Sequence, residues 1–477
     1  MSYGDRVKGM TATKPVRTAH DVAVAALRSS YAAIPAGQPI RLAKRTSNLF
    51  RPRTNEAVVG LDVSGLDGVI NVDVQARTAD VQGMCTYENL LGATLPHGLM
   101  PLVVPQLKTI TLGGAVTGLG IESSSFRNGL PHESVLELDI LTGAGEIVTA
   151  SSDQNADLFA AFPNSYGSLG YSVRLRIALE PVQAYVALRH LRFSDFDSLS
   201  AAISAISAAR SHDSEPVDFL DGVVFTPTES YLTLGRWAQS PSEVGMPAAS
   251  DYTGQEIYYR SIRERSRDCL TVHDYIWRWD TDWFWCSGAF GAQNRIARRL
   301  WPARYRRSDF YHRLVGIENR YQIFARLDRW RGKPERERVV QDVEIPVEQT
   351  ADFLTWFVAN VPMAPIWLCP LKLRESSGPA TPRTWPLYPL QPGQVYVNVG
   401  FWGTVPIEGG RQDGDVNRAI ENAVAGRSGH KSLYSDAYYD RDTFDAVYGG
   451  EVYRKVKGHY DPGHRLTGLY EKAVGRR

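Results

Sequence analysis

The chain reads as an α+β protein of two or three domains, and three features of its 477 residues point there. Runs in the strand period, at 69–74, 78–81, 222–226 and 394–401, are interspersed with helical stretches around 19–33, 86–95, 198–209 and 350–361. Apolar residues make up 43% of the chain and charged residues 22%, enough at this length to bury a large core. The glycine-rich run PQLKTITLGGAVTGLGIESSSFRNG, residues 105–129, follows neither GxGxxG nor GxxxxGK[ST], so an ordinary doubly wound nucleotide fold is disfavoured.

In chain order, 19–33 is the opening helix, 86–95 a second helix, and 173–179 the last strand of a first domain that closes at Pro181. The middle, 182–425, mixes strands and long helices in an α+β cap. The Pro-rich stretch SSGPATPRTWPLYPLQPG, 376–393, falls inside it and reads as an exposed loop. There is no internal repeat and no low-complexity tract.

Composition narrows the function classes. Lys plus Arg is 53 against 52 for Asp plus Glu, so no global field favours nucleic acid. Cys85, Cys269, Cys286 and Cys369 stand far apart with no CxxC pair, which reads as reduced, mostly buried thiols in a cytoplasmic protein without a zinc site. The N-terminus lacks an uninterrupted apolar core and no stretch approaches 18 apolar residues, so neither secretion nor membrane spanning is expected. A nucleophile elbow GxSxG and the metal motif HExxH are absent.

Gly113, Gly114, Gly118 and Gly120 permit positive φ and close approach to a flat or phosphorylated ligand, with freed N–H groups for anionic oxygens. A plain glycine-rich turn between strands is the other reading. With its flanks, the run resembles the second flavin-binding segment of the vanillyl-alcohol-oxidase and p-cresol-methylhydroxylase flavoproteins, in which two segments wrap one FAD. The first segment is similar to IRLAKRTSNL, 40–49. Many relatives carry a glycine-rich loop ending in His-Ser there, whereas this chain has Lys44, Arg45, Thr46 and Ser47. With no histidine in that loop, the resemblance implies noncovalent FAD. It also implies a two-part FAD-binding domain of the p-cresol-methylhydroxylase type at 1–181, an α+β substrate cap at 182–425, and a segment, 426–477, that returns to the flavin. The cofactor contacts it implies are Arg41, Lys44, Arg45, Thr46, Ser47, Asn48, Thr111, Gly113, Gly114, Gly118, Gly120, Ser123, Ile147, Gly167 and Gly170.

Within that family, GLGIESSSFRNG (118–129), NADLFAAFPNSYGSLG (155–170), PIWLCP (365–370) and Tyr453-Arg454-Lys455 resemble the delta-24 sterol reductases. RLAKRTSNLF and the 103–129 run are similar to reductases that convert a methylene-branched fatty acyl chain to the methyl-branched one. The resemblance implies FAD-dependent reduction of an isolated carbon–carbon double bond in a lipid chain, with NADPH as electron donor. Such a reaction needs a positioned acid to protonate one carbon while hydride reaches the other. Glu122, His132 and Lys431 are the catalytic candidates, with His430, Tyr434, Asp436 and Tyr438 nearby in the tail. Gly429-His430-Lys431 resembles a tail motif that places a lysine beside the flavin. Each also has a structural reading: Glu122 as a turn cap, His132 as a core histidine, the tyrosines as packing. The runner-up is an oxidase or dehydrogenase of the same fold acting on a 2-hydroxy acid, aldose or lactone.

Residues 275–311 hold five of the eleven tryptophans beside Arg295, Arg298, Arg299, Arg304, Arg306 and Arg307. One reading packs the aromatics inside the cap. The other sets them at a membrane interface, where an enzyme could reach a phospholipid-bound acyl chain from the inner face of the membrane. Nucleic acid as a partner has no other support in the chain.

Overall fold

A computed structural model describes residues 14–44, 50, 60–118, 120–253, 256–321, 330, 332, 334–375 and 383–474. The opening helix spans Lys14–Ala32. Ala23 and Leu27, one turn apart, share a small core with Ile40, Leu61 and Leu66. Thr86 caps the helix Tyr87–Thr94 by accepting the Asn89 N–H at 3.2 Å.

Five antiparallel strands form the first sheet, in the order Val69–Asp73, Thr78–Gln82, Tyr171–Pro181, Val135–Leu141, Ile147–Ser151. Leu99–Pro101 adds to the far end of Tyr171–Pro181. The second sheet has eight strands, all antiparallel: Arg267–Thr271, Tyr185–Phe193, Glu229–Ala238, Phe219–Thr226, Ile366–Leu371, Tyr396–Pro406, Arg336–Pro346 and His430–Lys431. This arrangement is the FAD-binding domain plus α+β cap that the sequence implies, and no doubly wound parallel sheet occurs among the described residues.

The two faces of the cap sheet have different partners, because neighbouring strand residues point to opposite sides. Leu220, Leu232, Val343, Leu368, Val397 and Val399 lie in one core with the helices Phe196–Ala209, Val347–Asn360 and Asp415–Ala425. Phe219, Val223, Trp367, Leu371 and Tyr396, at alternate positions, belong instead to the large core shared with the first domain. The second face therefore makes a layer between the two sheets. The tail helix Gly450–Tyr460 lies against the first domain: Lys457 Nζ donates to Ser168 O at 2.8 Å, and Ala144 N donates to Tyr460 O at 3.1 Å.

One expectation is corrected, and of the two readings of 275–311 burial supports the packing of its aromatics. In the Pro-rich stretch, Trp385, Leu387, Tyr388 and Leu390 are buried, because its apolar side chains pack although its prolines interrupt regular structure. Residues 376–382 lie outside the described residues. In 275–311 many of the aromatics are internal: Trp277, Trp279 and Trp283 are buried, and Phe284 stacks with Trp279 at 4.8 Å, while Trp285 and Trp301 are half-buried and Tyr305 is exposed. Arg298 is buried with its guanidinium 2.6 Å from Asp282, while Arg307 pairs with Glu88 at 2.7 Å. Arg306 is buried as well. A guanidinium inside a protein requires such a partner, so Arg298 belongs to the cap's own packing, whereas half-buried Arg307 pairs across to the first domain.

Candidate active site between the two sheets

The helix Leu112–Thr117 begins where the two proposed cofactor segments meet. Thr111 Oγ1 accepts the Gly114 N–H at 3.2 Å, and Lys44 Nζ lies 3.4 Å from the same oxygen and 3.5 Å from Met84 Sδ. Arg41 is exposed on the two-residue strand Arg41–Leu42. Arg45, Thr46, Ser47 and Asn48 lie outside the described residues. Ile147 starts an edge strand and packs in the core of the opening helix with Leu61.

The glycines act differently from the sequence expectation. None of Gly113, Gly114, Gly118 and Gly120 has a positive φ. A Cβ on Gly113 would fall 2.5 Å from Gly83 O, and one on Gly120 would fall 2.6 Å from Pro105 Cγ. On Gly114 it would meet Thr111 Oγ1 at 2.8 Å, and on Gly118 Gly114 O at 2.8 Å. The space that a side chain would need is filled by the chain itself, by backbone at Gly113 and Gly118 and by side chains at Gly114 and Gly120, so these glycines permit tight internal packing. Positive φ occurs further on, at Gly167 (73°) and Gly170 (145°), with Asn164 and Tyr166 also left-handed. A bulky residue such as Tyr166 in that region marks a site held by its surroundings. Trp283 (φ 45°) and Phe284 (φ 59°) show the same inside the layer.

Glu122 sits at the junction of the two domains. Its Oε1 accepts both Nη atoms of Arg278 at 3.2 Å and also bonds Ser123 Oγ, which in turn lies 2.7 Å from Tyr275 OH. Arg278 Nη2 reaches Asp221 on the cap sheet at 2.9 Å, and its guanidinium lies 4.0 Å from the Tyr275 ring. Burial pushes the Glu122 carboxyl up against the opposing pull of Arg278. The backbone joins there too, with Leu220 N donating to Ser123 O at 2.7 Å. The IESSS and PIWLCP blocks, remote in sequence, meet here: the turn Ser125–Asn128 packs on the strand Ile366–Leu371, and Phe126 enters the cap core.

His132 stands edge-on to Trp385 at 4.6 Å, and burial lowers its pKa to about 3, so it is neutral at physiological pH and holds no proton to donate as a cation. Lys431 pairs in register with Val343, so its side chain points to the helix-covered face of the cap sheet. There its ammonium lies 2.8 Å from Glu421 and also donates to Asp436 O. The lysine is thus turned away from the layer. Its neighbour His430 faces the layer, opposite Glu344 in the ladder. Of the other tail residues, Tyr434 OH accepts from Trp402 Nε1 at 2.8 Å, Asp436 pairs with Arg338 at 2.9 Å, and the Tyr438 N–H donates to Glu421.

The same parity identifies polar residues that the sequence reading missed. Asp342 and Glu344 share the layer face with Asn398, Gly400, Trp402 and His430. Asn398 Nδ2 donates to Asp342 Oδ1 at 2.9 Å, and Ser432 Oγ donates to Glu344 Oε1 at 2.6 Å. Gly400 is glycine for a local reason: a Cβ there would lie 2.5 Å from Asp342 Oδ1. Burial raises Asp342 to about 6 and drives Glu344 well above the usual carboxylate range, while it lowers His430 to about 3. The available signal was the spacing in VVQDVEIP, two acids at i and i+2 set among Val339, Val340, Val343 and Ile345.

Several buried polar atoms of the layer make no hydrogen bond at ordinary distance: Asn398 Oδ1, Glu122 Oε2, and Glu344 Oε2 and His430 Nε2, which face each other at 3.5 Å. Buried polar groups without partners are costly and rare. Rings line the same layer, with Trp402 beside Asp342, Tyr388 edge-on to His430, and Phe284 4.6 Å from Trp402 and 5.4 Å from Trp367. A flavin ring, flat and apolar at one edge with donor and acceptor atoms at the other, fits such a lining. An open cavity of about 230 Å³ bordered by Arg189, Glu215, Arg236 and Arg267 lies elsewhere, at the edge of the cap sheet. Arg189 and Arg236 are already paired there, with Asp213 and Glu243.

Residues 21–151 match the FAD binding domain family. The chain is 25% identical to the Delta(24)-sterol reductase of Homo sapiens over 415 residues, which covers 85% of this chain and 75% of the relative. It is an FAD-dependent oxidoreductase. The Delta(24)-sterol reductase of Arabidopsis thaliana is 25% identical over 460 residues, covering 87% of this oxidoreductase and 77% of that chain. Cytokinin dehydrogenase 1 of Oryza sativa subsp. japonica is 34% identical over 157 residues, covering 33% and 30%. The sterol reductases thus resemble this oxidoreductase through cap and flavin domain together, whereas the dehydrogenase resembles only a third of it.

Proposed function

We propose that this oxidoreductase uses noncovalent FAD to reduce an isolated carbon–carbon double bond in a lipid chain, with NADPH as electron donor. The substrate we favour is a methylene-branched fatty acyl chain, reduced to the methyl-branched one, and a sterol-type olefin is the next choice. The observation that carries this reading is the layer between the sheets, where aromatic rings surround carboxyl groups that burial keeps prone to protonation. Rings receive an apolar chain, and a protonated acid supplies what an unactivated double bond lacks. When bound, FAD supplies the hydride chemistry. The chain's part is to exclude water, hold the olefin among the rings and deliver a proton. Likeness to Delta(24)-sterol reductases over most of the chain supports the same reading.

An oxidase or dehydrogenase of a 2-hydroxy acid, aldose or lactone would need cations free to hold substrate oxygens. Arg278, a guanidinium buried in the layer, is committed to Glu122 and Asp221. Anaerobic mixing with NADPH and candidate olefins, followed by lipid mass spectrometry, tests the reductase. Rapid reoxidation in air with a hydroxy acid or sugar as reductant, with olefins left untouched, would establish the oxidase instead.

We also infer that the protein works at the inner, cytoplasmic face of a membrane and takes a phospholipid-bound acyl chain. No helix among the described residues is long and apolar enough to cross a membrane. Around the helix Arg295–Leu300, however, Ile296 and Leu300 are 74% and 77% exposed, one turn apart. Arg295, Arg299 and Arg304 are exposed beside them, and no acidic residue occurs between Asp282 and Asp309. Apolar residues flanked by unopposed arginines suit an anionic bilayer surface.

A further inference from the structure

The acid that protonates the olefin has to hold a proton, face the layer and escape neutralisation by a fixed cation. Glu122 fails the last condition, since both Nη atoms of Arg278 point at its Oε1. His132 and Lys431 fail for the reasons given above. We propose that Asp342 is the proton donor of this reduction, with Glu344 and His430 as the groups that resupply it. The inference rests on the reductase reading and deepens it by naming the donor.

Geometry supports the choice. Asp342 and Glu344 are two residues apart on one strand, so their side chains emerge on the same face about 7 Å apart. Asp342 is held by the Asn398 amide, with Trp402 and Tyr434 beside it, and has no ion pair. Glu344 is held by Ser432 and lies 3.5 Å from His430 Nε2. Tyr388 stands edge-on to His430 at 5.1 Å and closes that side. Asn398 Oδ1, on a residue 0% exposed, has no hydrogen-bond partner, and Glu344 Oε2 has only the 3.5 Å contact with His430 Nε2. A buried amide oxygen without a partner, beside a Glu344–His430 contact too long for a good hydrogen bond, leaves room for a ligand with polar atoms of its own.

The step balances as follows. The Asp342 O–H bond breaks as a C–H bond forms at one olefin carbon, using the π electrons. The other carbon would take the hydride that FAD, when bound, would supply at the expense of the nicotinamide donor. Asp342 is left as a carboxylate and regains a proton from Glu344, which is resupplied through His430 from solvent.

The test uses the flavin-loaded full chain, its Asp342→Asn and Glu344→Gln variants, NADPH and a methylene-branched phospholipid in vesicles. Asp342→Asn should bind FAD and show NADPH-dependent flavin bleaching like the parent, yet form product ~10²-fold or more slowly. Glu344→Gln should keep flavin and form product, with its rate falling at lower pH than in the parent. Infrared spectra give a readout independent of turnover: a protonated-carboxyl band that titrates in the parent should be missing from Asp342→Asn, with or without FAD. Parent-like product formation by Asp342→Asn, loss of its flavin, or an unchanged infrared band would each overturn the donor assignment alone. A parent that bleaches with NADPH but reduces no olefin would overturn the reductase reading, and the donor role with it.

Discussion

The guanidinium of Arg278 lies 3.2 Å from Glu122 of the flavin domain and 2.9 Å from Asp221 of the cap sheet, so a single buried cation ties the two domains together. All three side chains are almost wholly withdrawn from solvent. Such an ion triad adds little by itself, but removing its centre leaves two uncompensated carboxylates.

Replacing Arg278 by Met should therefore destabilise the protein by about 3–5 kcal/mol. Denaturant unfolding monitored by tryptophan fluorescence measures this. A loss under about 1 kcal/mol would mean that water or repacking satisfies Glu122 and Asp221. Lys431→Met should act similarly through Glu421, lowering stability rather than flavin chemistry, because the ammonium is turned to the helix face.

Asp342 gives stability a particular pH dependence. Its carboxyl is raised from 3.8 to about 6 in the fold, so the folded state holds the proton more tightly than the unfolded chain does. Its contribution is full below about pH 4 and is lost as pH rises to about 6. A shift of roughly two units corresponds to about 3 kcal/mol. Asp342→Asn should remove this dependence and be the more stable protein at pH 8, as thermal unfolding across pH 4 to 8 would reveal; parallel curves for the two proteins would contradict it.

FAD should copurify with the protein and be released intact by acid or heat, because the 40–49 segment offers no histidine for a covalent link. A yellow band that survives denaturing electrophoresis would count against this.

Binding to anionic vesicles should weaken when Arg295, Arg299 and Arg304 are replaced by Glu, at roughly 1 kcal/mol per basic contact. Changing Ile296 and Leu300 to Asp should weaken it further. Arg298→Glu serves as a contrast: opposing Asp282 in the interior, it should lower the melting temperature. If the vesicles sediment the triple variant as well as the parent, the surface lies elsewhere.

What the sequence determined by itself was local or a matter of residue type. Periodicity located the helices near Tyr87–Thr94, Phe196–Ala209 and Val347–Asn360, and strands within Phe219–Thr226 and Tyr396–Pro406. The glycine-rich run and its flanks carried the flavoprotein likeness, and the lack of GxGxxG there disfavoured the doubly wound alternative. These readings need only propensity, spacing and pattern along the chain.

Tertiary structure decided which side chains face each other. Lys431 and His430 are adjacent in sequence, yet pairing with Val343 and Glu344 sends one to the helices and the other to the layer. A one-residue change of register would exchange them, and no local signal fixes that register. Gly113 and Gly120 looked like room for a ligand, whereas Gly83, Pro105 and Pro131, brought there by the fold, occupy the space. The arginines of 275–311 looked alike in the sequence. Asp282 and Glu88 divide them into buried and surface sets, because burial of a cation depends on a partner that only the folded chain supplies.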